Sequence, residues 1–334
     1  MLNLCRPTAQ LTSDQRDALE ALLGARMQAD APLARYTSAR VGGSADLLLE
    51  VRSANELAQV AEWLWEWGLP FRILGGGSNV LVSDAGARGV VVLNRARRVH
   101  FEDGEALRAK GQSPWVRAES GANFGLLARQ AAQRGLAGLE WASGIPGTLG
   151  GAVVGNAGAH GGDIAGNLLL AEILHRHGVG QVHREEWPQA RFEFGYRSSL
   201  LKRRSLRNAL RTTREIVLSA GLRLEWSSAE AVQARTERFV AHRRVTQPPG
   251  ASMGSMFKNP PGDYAGRLIE AAGLKGAQIG QAEISPLHAN FFINHGAATA
   301  GQIYELIQLA QATVAEKLGV NLELEIELFG DWES

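Results

Sequence analysis

Glycine acts on a ligand only through its main chain, and two stretches of this sequence are rich in it: Gly75, Gly76, Gly77, Ser78 and Asn79, and the longer GIPGTLGGAVVGNAGAHGG from Gly144 to Gly162. Without Cβ atoms, successive N–H groups can close on an anion, as they do around nucleotide phosphates. Neither stretch has the GxGxxG spacing of the doubly wound nicotinamide domain or the GxxxxGK[ST] of a nucleotide triphosphatase. Each alone reads equally well as a tight turn, since glycine is the commonest turn residue. Two together favour a diphosphate ligand held in a fold of another kind.

Side-chain chemistry gathers in three further segments. Gly250 to Pro260, GASMGSMFKNP, carries Ser255, Lys258 and Asn259 between turn residues. Ser255 lacks a G-x-S-x-G elbow and a marked histidine partner, so a nucleophilic serine is not supported. A serine that protonates a developing carbanion stays open beside the ordinary turn serine that bonds its own backbone. Phe194-Gly195-Tyr196-Arg197-Ser198 fixes an arginine whose planar fork suits a carboxylate or phosphate, although an internal ion pair explains it as well. In Leu322 to Leu328 the apolar Leu322, Leu324, Ile326 and Leu328 alternate with Glu323, Glu325 and Glu327, which predicts a strand with three carboxylates on one face, ordinarily the solvated one. The basic run Lys202, Arg203, Arg204, Arg207, Arg211 and Arg214 reads as a solvated loop or, less simply, as a diphosphate site. The eight histidines show no HExxH spacing, so no metal is predicted.

These residues need elements to position them. A helix is predicted over Ser53 to Gly68, with Ser53 and Glu56 as a capping box and Leu57, Val60, Ala61 and Leu64 as its apolar stripe. Phe71 to Leu74, Val80 to Val82 and Val90 to Leu93 are of strand length, so the first glycine stretch lies between strands. Trp115 to Glu119 reads as a strand, Asn123 to Arg134 as a helix, and Glu215 to Trp226 as a closing strand. Helices follow over Ser228 to Arg243, Tyr264 to Ala272 and Gln302 to Leu318. The whole is α+β, with a domain boundary near Ser227.

Length and composition narrow the partners. At 334 residues, two or three domains are expected. With 35 Lys plus Arg against 34 Asp plus Glu, no overall field draws the protein onto nucleic acid or an anionic membrane. The single Cys5 excludes an intrachain disulfide framework and points to a reducing compartment. No signal-like N-terminus or run of ~18 apolar residues is present, so a cytoplasmic protein is expected.

Taken in order, YTSARVGG, ILGGGSNVLVSD, GLEWASGIPGTLGGAVVGNAGAHGG, FGYRSS, GSMFKNP, LKGAQIG, HANFFIN and LELEIELFG resemble the UDP-N-acetylenolpyruvoylglucosamine reductase family, also called UDP-N-acetylmuramate dehydrogenases, from about Tyr36 to Gly330. The resemblance implies an α+β fold with a two-part FAD-binding unit of the p-cresol methylhydroxylase type, here residues 1–95 and 96–226, and a C-terminal α+β substrate domain at 227–334. It implies a flavoprotein of peptidoglycan precursor synthesis in which NADPH reduces FAD, and flavin N5 then passes hydride to the enolpyruvyl methylene of UDP-N-acetylglucosamine enolpyruvate. By the matching motifs, Ser255 takes the proton-donor position, and Arg197 and Glu325 those that stabilise the enolate. Gly75, Gly76, Gly77, Ser78, Asn79, Ser120, Gly121, Gly144, Ile145, Pro146, Gly147, Gly150, Gly151 and Ala152 would meet FAD. Tyr196, Lys258, Asn259 and Gln278 would meet the substrate.

Because an ionised Glu beside the substrate carboxylate would be repelled, Glu325 is expected to have a raised pKa and to bind protonated. Gln should then be tolerated at Glu323 and Glu327 and not at Glu325. Some members carry an extra loop whose tyrosine covers the substrate diphosphate; Tyr36, Tyr196, Tyr264 and Tyr304 are the only tyrosines here, and none lies in such a loop. That marks the shorter form and leaves Arg203 to Arg214 as a candidate clamp. Ala39 stands where the family often has an aromatic residue, with a small effect expected on packing near the flavin. A monomer is expected. An FAD oxidase or dehydrogenase of a small alcohol or hydroxy acid is the competing enzymatic reading, and a non-catalytic nucleotide-sugar sensor the competing binding one.

Overall fold

A computed structural model describes residues 11–177, 181–207 and 213–332, so Cys5 and Arg211 lie outside the described residues. The chain opens with α1 (Ser13–Leu23), β1 (Met27–Pro32), β2 (Ser44–Val51), α2 (Ala54–Glu66), β3 (Phe71–Leu74), β4 (Val80–Val82) and β5 (Ala87–Asn94). β2 and β3 flank β5 in parallel, and β1 pairs antiparallel with β2 at the edge. Burial of β5 along nearly its whole length explains its unbroken Val-Val-Val-Leu run, as a central parallel strand requires.

Ser53 caps α2 by accepting from the Glu56 amide at 3.1 Å. The expected reciprocal bond does not form. The Glu56 carboxylate instead accepts from the Arg52 amide at 2.8 Å and pairs with Arg26 at 2.6 Å. The predicted stripe Leu57, Val60, Ala61 and Leu64 is fully buried, against Val90 and Val92 of β5 on one side and Leu174 and Leu218 of the next unit on the other. At about 1.5–3 kcal/mol for each large side chain, this helix joins two sheets through one core.

The second unit comprises β6 (Val99–Glu102), β7 (Trp115–Glu119), α3 (Phe124–Gln133), α4 (Leu149–Gly155), β8 (Leu168–His177), β9 (Gln181–Pro188), α5 (Leu200–Arg207) and β10 (Glu215–Arg223). Its sheet is antiparallel throughout, in the order β9-β8-β10-β7-β6. Two segments read as loops are helical. Gly150, Gly151 and Ala152 lie in α4, where burial of Leu149, Ala152 and Val153 outweighs the roughly 1 kcal/mol that each interior glycine costs. Lys202, Arg203 and Arg204 lie on α5, and the Arg207 side chain is outside the described residues.

The last unit holds α6 (Ala229–Thr246), α7 (Ala265–Ala271), β11 (Gln278–Ile279), β12 (Ala282–Ile284), β13 (Phe292–Asn294), α8 (Ala300–Leu318) and β14 (Glu327–Phe329). α6 lies back on the second unit: Val232 packs on Ala132 and Ala137, and Arg235 pairs with Glu140 at 2.7 Å. β14 returns to the first unit and pairs in parallel with β4, Glu327 opposite Val80. The predicted strand Leu322 to Leu328 is therefore only partly realised. Residues 323–325 pair with the Ser255 loop, through Lys258 N to Glu323 O at 2.8 Å and Glu325 N to Met256 O at 2.9 Å, whereas residues 327–329 pair with β4. The chain must bend at Glu325 and Ile326 to change partners, and the bend takes Glu325 off the solvated face. Ala39 is fully buried in the C-terminal core with Met253, Met256 and Phe257, so the packing it affects is there rather than at the flavin loops.

Candidate active site

The two glycine stretches lie against each other. A Cβ on Gly76 would come within 2.8 Å of Gly147 Cα, one on Gly147 within 2.6 Å of Ser78 Oγ, and one on Gly75 would collide with Thr148 Oγ1. Gly77, at φ +61°, would drive a side chain into the Tyr36 carbonyl oxygen. These glycines are required by loop-on-loop contact as well as by any ligand. Ser78 Oγ donates to Pro146 O at 3.2 Å, and Gly150 N to Ser120 O at 2.8 Å, which fixes Ser120 and Gly121 beside the second stretch.

What this packing leaves open is a set of donors. Among the described residues, the amides of Gly75 through Asn79, and those of Gly121, Gly144, Gly147, Thr148 and Gly151, donate to nothing in the protein. Asn79, Gly144 and Gly151 are exposed, but buried or half-buried N–H groups such as those of Gly75, Gly76, Gly77, Ser78, Gly121, Gly147 and Thr148 are nearly always paired, so their concentration marks a place for an anion with several acceptor oxygens. The Ser143 hydroxyl, buried and without a partner, adds a side-chain donor next to Gly144. Backbone amides, Ser143 and Thr148 suit the diphosphate and the heteroatom-rich ring of FAD.

The second part of the long stretch does something else. Gly158 O accepts from Arg197 Nη1 at 2.8 Å, and Asn156, at φ +45°, donates through Nδ2 to Gly195 O at 2.9 Å. Gly195 and Ser198 exchange backbone bonds of 3.0 and 3.1 Å across Tyr196 and Arg197. This places Arg197 at φ +53°, a left-handed position that a non-glycine residue adopts at a cost and that clusters at functional sites. Its Nε lies 2.7 Å from Glu325 Oε1, but the N–H is not aimed at that oxygen, so the pair is held by charge and a buried donor stays unfilled. Burial raises the Glu325 pKa, and the opposing charges of Arg197, Lys202 and Lys258 do not undo it. Burial thus gives a physical cause for the raised Glu325 pKa expected from sequence.

Ser255 sits on the segment paired with Glu325's strand; its backbone bridges Phe291, and its Oγ makes no hydrogen bond among the described residues. Tyr196 Oη accepts from Asn259 N at 3.4 Å, and Lys258 Nζ meets Glu323 at 3.1 Å. Asn259 Oδ1 accepts from Ala265 N at 3.0 Å, which leaves its amide group for other partners. Gln278 is not brought to this cluster: it lies exposed on β11, three strand spacings or about 14 Å of sheet from the Ser255 segment. Asn79 joins the two regions, donating through Nδ2 to Glu325 O at 3.1 Å and accepting from Glu327 N at 2.9 Å.

The basic run does not act as one clamp. Among the described side chains of the run, Arg203 pairs with Glu193 at 2.6 Å and Arg204 with Glu215, while Lys202 turns inward. Sequence reasoning missed Ser143, Asn156, Asn290 and Arg243. Asn290 brackets Phe257, accepting from its amide at 2.9 Å and donating to its carbonyl at 2.8 Å, and so fixes the Ser255 loop. Arg243 comes from α6 to within contact of Gly144, half-buried and without an acceptor among the described residues. Among those residues no three His, Cys, Asp or Glu group as metal ligands, and no helix is long and apolar enough to cross a membrane.

Residues 246–329 match the family model described as UDP-N-acetylenolpyruvoylglucosamine reductase, C-terminal domain, and residues 45–178 the model described as FAD binding domain. A protein named UDP-N-acetylenolpyruvoylglucosamine reductase from Chloroflexus aggregans is 43% identical over 297 residues, 89% of this chain and 95% of its own. One of the same name from Rubrobacter xylanophilus is 43% identical over 303 residues, covering 90% and 95%. The crystal structure of the UDP-N-acetylenolpyruvylglucosamine reductase from Thermus caldophilus superposes with a TM-score of 0.70 at 35% identity, over 91% of this chain and 98% of that one.

Proposed function

This chain belongs to the UDP-N-acetylenolpyruvoylglucosamine reductase family, and we propose that it reduces the enolpyruvyl group of UDP-N-acetylglucosamine enolpyruvate to UDP-N-acetylmuramate, with NADPH as reductant, at the junction of the glycine cradle and the Arg197–Glu325 cluster. It is an FAD-dependent oxidoreductase with the two-part α+β cofactor unit and C-terminal α+β domain of its family. The observation that carries the reading is that junction: Asn79, the last residue of the amide cradle, bonds the main chain of Glu325, while Gly158 holds the guanidinium that Glu325 faces.

Bound FAD supplies the hydride. The chain's own residues handle the charge and the proton. As the methylene carbon gains hydride, negative charge passes to the neighbouring carbon and its carboxylate. The Arg197 guanidinium, which faces Glu325 at 2.7 Å, is placed to stabilise that charge, and losing one such donor typically costs ~2.7–4 kcal/mol of barrier. An arriving carboxylate competes with Glu325 for Arg197 and adds a like charge, which drives Glu325 further toward its protonated, donating form. Ser255 Oγ, free of internal partners, delivers the proton that completes addition across the double bond. Tyr196, Lys258 and Asn259 border the same cluster and would contact the substrate there, whereas Gln278, on β11, would meet a more distant part of it.

The test is a visible spectrum followed through anaerobic NADPH and then the enolpyruvyl sugar. Bleaching near 450 nm, with colour returning promptly only on addition of the sugar, supports the reading; colour returning only with oxygen favours an oxidase. In Ser255→Ala, bleaching by NADPH should be unchanged, and recovery with the sugar should slow by about 10²–10⁴. Recovery at the wild-type rate would remove Ser255 from the proton-donor role.

A further inference from the structure

Lys202 differs from its neighbours Arg203 and Arg204. Arg203 and Arg204 turn out to carboxylates, whereas Lys202, one helical step away, is 9% exposed. Its position is built. Its amide donates to Ser199 Oγ at 3.2 Å, and the Ser199 hydroxyl donates to Val154 O of α4 at 2.6 Å. Its ammonium carries three donors, and the one acceptor they meet among the described residues is the Arg197 carbonyl, at 3.3 Å. A buried ammonium bonded only to a neutral oxygen is costly, and a methionine would fill the same space without that cost. The charge therefore calls for a use. Burial weighs most and lowers its pKa; Glu327 and Glu325 favour the charge from the C-terminal segment, and Lys258 and Arg197 oppose it from the Ser255 loop and the turn.

Two features show what that use is. Arg197 holds a left-handed conformation at the second central position of its turn, where glycine is the usual residue, so something must hold the peptide in place. Lys202 holds that residue's own carbonyl. It also lies in the group of cations, with Arg197 and Lys258, that opposes protonation of Glu325.

Resting on the function proposed above, we propose that Lys202 is a positioning residue of the reaction: it clamps the main chain of the Arg197 turn and so holds the guanidinium that faces Glu325. It touches neither cofactor nor substrate in this role. Its effect should therefore fall on the step that uses Arg197 and Glu325 and spare the step in which NADPH reduces the flavin.

The experiment uses the FAD holoenzyme and stopped-flow absorbance on Lys202→Met and Lys202→Arg, following reduction by NADPH and reoxidation by the enolpyruvyl sugar separately across pH. For Lys202→Met the expected result is wild-type reduction, reoxidation slower by about tenfold or more, and an alkaline limb of reoxidation displaced to higher pH, because removing a cation favours protonated Glu325. Lys202→Arg keeps the charge, so its limb should stay in place while its rate falls. Wild-type reoxidation and limb in Lys202→Met would overturn the inference, as would equal losses in both half-reactions. If Lys202→Met does not hold FAD, Lys202→Arg decides: a displaced limb or an unchanged rate there would overturn it too. Failure of the wild-type enzyme to reoxidise with the sugar would instead sink the underlying function.

Discussion

The cradle and the cluster that meet at Asn79 are built from different material. The cradle is main chain: tightly packed glycines most of whose amides have no acceptor among the described residues. The cluster is charged side chains, Arg197, Glu325, Lys202 and Lys258, in which burial is the leading influence on the ionisation of Glu325 and Lys202. A ligand held by peptide N–H groups is indifferent to pH over the working range, while one held by a buried carboxyl and an unsatisfied guanidinium is not. The comparison therefore teaches where each kind of damage should appear. Backbone changes should remove the cofactor, and charge changes should spare the cofactor and alter the chemistry and its pH dependence.

The largest effect should come from Gly77→Ala. An L-residue at φ +61° costs roughly 1–2 kcal/mol, and the new methyl would strike the Tyr36 carbonyl, so the loop must move away from Gly147. The variant should purify without bound flavin, and its 450 nm to 280 nm absorbance ratio reads this directly. Gly155→Ala is the control. It lies in α4 with nothing within 4 Å of a new Cβ, and should keep its flavin and gain about 0.4–1 kcal/mol of stability. Full FAD occupancy in Gly77→Ala would break the distinction between backbone and side-chain regions.

Next in size is the cluster's pH dependence. Burial raises the Glu325 pKa above its unfolded value, so its contribution to stability is present below the unfolded pKa and is lost as pH rises through the folded one. The donating form is lost in the same window. Reoxidation by substrate should fall there, while FAD stays bound. Glu325→Gln should slow this step by about 10²-fold and flatten its pH profile. Glu323→Gln, at an exposed carboxylate paired only with Lys258, should leave rate and profile within about twofold. A flat wild-type profile would mean that Glu325 does not titrate in the reaction.

The difference between the regions also governs what could be read from sequence. Glycine announces main-chain work by its identity, so Gly75 to Asn79 and Gly144 to Gly151 stand out unaided, as do strands such as β5 and the stripe of α2. Period-two alternation from Leu322 to Leu328 was equally plain and misleading, because it cannot register that residues 323–325 and 327–329 pair with different partners. The helical α4 was hidden by glycine's low propensity, which burial of Leu149 and Val153 overrides. Lys202 is concealed among arginines, since consecutive positions within one helical turn hold a buried lysine and two ion-paired arginines. Asn156 and Asn290 carry no local signal at all. Their work is done across 39 and 33 residues of sequence.

The smallest of these effects belongs to Arg243, which tests whether the cradle is purely main chain. It ends the exposed face of α6, yet its guanidinium is half-buried against Gly144, with no carboxylate in reach, and burial lowers its pKa with nothing opposing. A planar cation left with unfilled donors beside unfilled amides implies a shared acceptor, and bound FAD is the group that the cradle fits. Arg243→Gln should raise the FAD dissociation constant by about tenfold, the worth of one hydrogen bond to a charged group, and the loss should shrink as salt is added because salt screens the guanidinium's charge. Arg243→Lys should recover only part, since an ammonium cannot reproduce the fork. If titration of apoprotein with FAD gives the same constant for wild type and Arg243→Gln at low salt, the cradle is main chain alone, and Arg243 must answer to the substrate or to NADPH instead.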